Sequence, residues 1–93
     1  MRETNGETIL IVEDDAGVAL LEGRRLQRAG YQVVTAATAA EALQQVQQID
    51  VDLMLLDYRL HGDVDGLDLF GQVRAAGYDL PVILVTASAT KPR

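Results

Sequence analysis

The chain has 93 residues, enough for one domain with a modest core. Eight Lys and Arg stand against fourteen Asp and Glu, a net charge of −6 with the single His neutral. That balance argues against direct nucleic-acid binding and, with no basic cluster, against an anionic membrane surface. Cysteine is absent, which excludes disulfides, thiolate zinc sites and cysteine nucleophiles.

Met1 to Thr8 is polar and lacks the apolar stretch of a secretory signal. No apolar run approaches the ~20 residues of a membrane span, so a cytoplasmic location is expected. Thr8-Ile9-Leu10-Ile11-Val12 is the first apolar run and ends abruptly in Glu13-Asp14-Asp15. The segment from Gly17 to Ala29 predicts a helix with Val18 and Leu21 on its apolar face. That stripe is thin, because Glu22 and Arg25 fall where further apolar residues are expected, and Gly30 follows as a C-terminal cap. Tyr31 to Ala36 is the second run. Thr38-Ala39-Ala40-Glu41 has the spacing of a capping box and opens a helix striped by Ala39, Ala42, Leu43 and Val46.

Leu53-Met54-Leu55-Leu56 is the third run and ends at Asp57. Leu69, Phe70 and Val73 stripe a third helix between Gly66 and Ala76, with Gly77 as its cap. Pro81 to Val85 is the fourth run and meets Thr86-Ala87. Most of these runs are continuously apolar, the pattern of parallel strands covered on both faces. The order β-α-β-α-β-α-β with short loops implies an α/β fold on a parallel sheet.

Acidic residues fall at the carboxyl ends of strands, where open α/β sheets form ligand sites. If the first and third strands are neighbours, Glu13, Asp14 and Asp57 converge. Such carboxylates repel and raise one another's pKa unless a cation compensates. A hard divalent ion such as Mg²⁺ suits them. The simplest assembly uses the carboxylates of Asp14 and Asp57, the backbone carbonyl of Arg59 and waters, one of them held by Glu13. Asp57 would then attack a phosphoryl group in line. The Thr86 hydroxyl and the Ala87 backbone amide would donate to phosphoryl oxygens. Asp15 reads as the cap of the first helix, and His61 as a solvent-facing loop residue.

The residues Ile9 to Asp15, Asp57-Tyr58-Arg59-Leu60, Asp65-Gly66 and Val85-Thr86-Ala87 resemble the landmarks of the response-regulator receiver domain, from Glu7 to Ala89. The resemblance implies a flavodoxin-like, three-layer fold with strands in the order 2-1-3-4. By position it makes Asp57 the phosphoacceptor, Glu13 and Asp14 the acidic pair organising Mg²⁺, Arg59 the carbonyl ligand and Thr86 the switch residue. A sensor histidine kinase or a histidine phosphotransfer protein is the implied donor in a phosphorelay. The wording around Asp57 is similar to receivers attached to hybrid sensory kinases or standing beside them.

Departures from the family pattern are His61, where a proline is common, and a segment Gly62-Asp63-Val64 one residue longer than the commonest form. Residues 1–93 are expected to form a single receiver-type domain truncated at its C-terminus, without the fourth helix, fifth strand and fifth helix. Lys91 lies too near Thr86 to take the role of the family's phosphoryl-binding lysine, so a weakened switch is expected. The expected truncation exposes the edge of Val82 to Val85, which a homodimer could cover. The rival reading is a non-catalytic docking or dimerisation module, derived from a receiver, whose acidic pocket is vestigial or holds only metal. A hydrolase using Asp57 as nucleophile ranks low, for no general acid–base group can be named. A nucleotide-binding fold ranks lower still, since no glycine-rich loop follows the first strand.

Overall fold

The computed structural model describes residues 6–57 and 66–85. Within them the chain runs β1 (Thr8–Val12), α1 (Ala16–Arg28), β2 (Gln32–Ala36), α2 (Ala39–Gln48), β3 (Leu53–Asp57), α3 (Gly66–Ala75) and β4 (Val82–Val85). The strands form one sheet in the order β2-β1-β3-β4, and every pairing is parallel. The α/β fold and strand order expected from the sequence are therefore met. Each β–α–β step returns the chain to the same end of the sheet, so all strand carboxyl ends gather on one side.

Alternation along the strands divides the core. Leu10, Val12, Met54 and Leu56 point to one face and pack with Ala42 and Val46 of α2 and Leu69 and Val73 of α3, all buried. Ile9 and Ile11 point to the other face, which α1 covers. The contact there differs from the expected one. Val18 and Leu21 are exposed, at 39% and 62%, and the buried residues of α1 are Ala19 and Gly23. A Cβ placed on Gly23 would lie 3.4 Å from Val33 Cγ1 and 3.9 Å from Ile11 Cδ1. Small residues let the helix backbone approach the sheet, so the burying face is short of large side chains where the sequence pattern predicts a hydrophobic stripe.

Helix ends follow the sequence signals closely. Asp15 caps α1 by accepting from the Val18 N–H at 3.1 Å. Thr38 Oγ1 accepts from the Glu41 N–H at 3.1 Å, and Glu41 Oε1 reaches back to the Ala37 N–H at 2.8 Å. The capping box thus closes one residue earlier than its usual return to the cap residue. Helices α1 and α3 end alike. Tyr31 N–H donates to Leu26 O and Gly30 N–H to Gln27 O, and Tyr78 and Gly77 repeat this against Val73 and Arg74. Gly30 and Gly77 take φ of 103° and 94°, the left-handed turn of a Schellman ending.

Candidate functional site

Two neighbouring strands place the acidic residues. β1 and β3 pair with Val12 opposite Leu56, so the residues next in line, Glu13 just past β1 and Asp57 at the last position of β3, stand at one level. Asp14 follows Glu13 into the turn before α1. One carboxylate oxygen from each of Glu13, Asp14 and Asp57 lies within 4.8 Å of the others, and all three residues are partly buried. The convergence expected from the sequence is therefore present.

Backbone bonds hold the cluster in place. Glu13 N–H donates to Ala36 O at 3.0 Å, tying the end of β1 to the end of β2. Glu13 Oε2 accepts from the Asp15 N–H at 3.1 Å, while Asp15 caps α1. The turn Glu13-Asp14-Asp15 is thereby fastened at both ends, with Glu13 and Asp14 gathered near Asp57 and Asp15 turned to the start of α1.

The electrostatics record the crowding. Burial raises the Glu13 carboxyl from its ordinary 4.5 to about 7, and the charge of Asp57 and the acidic hydrogen bonds of Asp14 and Asp57 add to the rise. The Asp15 N–H works against it. Glu22 is also raised, first by burial and then by the charge of Asp57, with Arg25 opposing. On a helix whose inward face is Ala19 and Gly23, Glu22 lies on the flank nearer β3. In the sequence Glu22 stands out only as an interruption of an apolar stripe. Its helical phase relative to Ala19 and Gly23 is the signal that places it toward Asp57.

Beside the cluster, between α1 and the β2–α2 connection, is an open cavity of about 300 Å³. Glu13, Asp14, Leu20, Thr35 and Glu41 are among its lining residues. Clustered oxygen donors, one of them holding its proton up to about pH 7, fit a hard cation that would displace that proton. Arg59, Thr86 and Ala87, the other predicted site residues, lie outside the described residues, as does His61. Among the described residues no helix is long and apolar enough to cross a membrane.

Residues 9–93 match the family model of the response regulator receiver domain. The chain is 39% identical over 84 residues to the transcriptional regulatory protein GlrR of Escherichia coli K12. That alignment takes in 90% of this chain and 19% of GlrR, so the chain spans about a fifth of that relative's length. Among solved structures it is similar to the response regulator TrrA of Thermotoga maritima in complex with Mg²⁺-BeF. The identity is 34% and the TM-score 0.81, over 87% of this chain and 70% of that one. It is similar also to the complex of the histidine kinase ThkA with TrrA, at 32% identity and a TM-score of 0.82, over 94% of this chain and 74% of that one.

Proposed function

The chain belongs to the response regulator receiver domain family, and on that premise we propose that Asp57 accepts a phosphoryl group from a phosphohistidine donor. The observation that carries this reading is the convergence of Glu13, Asp14 and Asp57 at the carboxyl ends of adjacent parallel strands. In the transfer, an Asp57 carboxylate oxygen bonds to phosphorus as the phosphorus–nitrogen bond to the donor imidazole breaks. The imidazole leaves with the electron pair and takes a proton from solvent. The products are an aspartyl phosphate and a neutral histidine.

Asp14 and Asp57 would hold Mg²⁺, with the Arg59 carbonyl completing the protein ligands and Glu13 orienting a bound water. Mg²⁺ held there offsets the charge of the carboxylates and of the phosphoryl oxygens. The Thr86 hydroxyl and the Ala87 amide are assigned the remaining phosphoryl oxygens. The donor is read as a sensor histidine kinase or histidine phosphotransfer protein, in keeping with the kinase complex of the similar TrrA. Residues 1–93 are taken as one receiver-type domain acting in the cytoplasm.

Incubation with Mg²⁺ and a small acyl phosphate, followed by intact-mass measurement, tests the reading. One acid-labile phosphoryl group is expected on the chain and none on Asp57→Asn. Asp14→Asn should fold and yet lose the Mg²⁺ dependence. Labelling that persists in Asp57→Asn would overturn the assignment.

A further inference from the structure

β2 is an outer strand of the sheet, and its sequence Gln32-Val33-Val34-Thr35-Ala36 carries neither charge nor proline. Sheet edges are commonly blunted by one or the other. Gln32 N–H donates to Glu7 O and Ala36 O accepts from Glu13 N–H, so Gln32, Val34 and Ala36 face β1. In a parallel pair the intervening residues face the other way. Val33 and Thr35 thus turn their N–H and C=O groups out of the sheet. The open stretch is closed at both ends, by Leu26 O on the Tyr31 N–H and by Glu41 Oε1 on the Ala37 N–H.

A groove of about 310 Å³ runs along this edge. Leu20, Arg24 and Gln27 of α1 line one side and Gln45 of α2 the other. At Leu20 and Thr35 it joins the cavity beside Glu13, Asp14 and Glu41. Because α1 runs back against the strands, Arg24 lies toward the amino end of the groove, and the acids lie at its carboxyl end.

We propose that a second copy of this chain pairs antiparallel with β2 about a two-fold axis at Val34. This register sets Val33 opposite the partner's Thr35, and Thr35 opposite the partner's Val33. Both members of each pair are outward-facing, so each pair exchanges N–H and C=O groups as a hydrogen-bonded antiparallel pair. The closed positions at Tyr31 and Ala37 end the pairing on each side. Reversal also turns the partner's Arg24 end toward the acidic end of this groove. The occupant is a copy of the chain because both the register and the groove's charge polarity are self-complementary. An unrelated strand would need to supply each separately.

Amide hydrogen exchange followed by NMR at increasing concentrations, paired with sedimentation equilibrium, tests the proposal. Exchange at Val33 and Thr35 should slow as a dimer forms, while Val34, facing β1, keeps its rate. Thr35→Pro removes an N–H that the ladder with β1 does not use, so the monomer fold should survive. It deletes one hydrogen bond from each symmetry-related pair and should weaken the dimer about thirtyfold. Asp57→Asn should dimerise like the wild type, separating this surface from the phosphoacceptor site. A chain that stays monomeric to millimolar concentration overturns the proposal, and so does concentration-independent exchange at Val33 and Thr35. A dimer that survives Thr35→Pro but is lost in Ile83→Lys belongs to the β4 side and overturns it equally.

Discussion

Replacing Glu13 by Gln removes one of the clustered acids without changing its shape, and the structure sets both the direction and the size of the response. In the folded chain Glu13 keeps its proton to about pH 7, against an ordinary 4.5. Between those values the folded state binds more protons than the unfolded state, so stability is full below about pH 4.5 and falls as pH rises toward 7. The interval corresponds to about 3 kcal/mol. Glu13 is only partly buried, and solvent screening reduces the expected loss to about 1–2 kcal/mol. In chelator-treated protein, urea unfolding from pH 4.5 to 8 should show this decline for the wild type and a flatter profile for Glu13→Gln. The variant should be the more stable by about 1–2 kcal/mol above pH 7. Mg²⁺ should restore the wild type above pH 7 and help the variant less. Superimposable pH profiles for the two chains would refute the account of a repelling carboxylate cluster.

Two further perturbations test the scaffold that brings the acids together. Leu10 is fully buried between α2, α3 and the sheet, and Leu10→Ala should cost about 3–4 kcal/mol in urea unfolding, with loss of cooperativity if β1 no longer holds the sheet. Thr38→Ala deletes the oxygen that accepts from the Glu41 N–H, and should cost about 1 kcal/mol, read as a lower midpoint at unchanged denaturant slope.

The elements that organise this molecule were legible in the sequence wherever one physical signal dominated. Continuous apolar runs announced β1, β3 and β4; β1 is buried at every position, as expected of a strand covered on both faces, whereas Ile83, Leu84 and Val85 of β4 are exposed among the described residues. Capping residues located the starts of α1 and α2, and Gly30 and Gly77 marked helix ends where a left-handed turn is needed. The acidic site was legible because position alone, at the ends of adjacent parallel strands, brings Glu13 and Asp57 together. The face of α1 was misread for a physical reason. Periodicity finds the large apolar residues Val18 and Leu21, yet close approach to β2 favours Ala19 and Gly23, which have little hydrophobic weight. Once that phase is corrected, Glu22 falls beside the charge of Asp57, a relation that no pattern centred on Val18 could reveal.

The small residues beneath α1 carry one more consequence. A helix that meets a sheet through Ala19 and Gly23 has few interlocking side chains to fix its position along its own axis. Its placement rests instead on its two moorings, the Schellman ending at Gly30 and the Asp15 cap. The second mooring is joined directly to Glu13 through the Asp15 N–H. The helix therefore resembles a rod on a smooth bearing with its forward end tied to the acidic cluster. Two hydrogen bonds in series, Asp15 N–H to Glu13 and Val18 N–H to Asp15, thus join the cluster to the first turn of the helix.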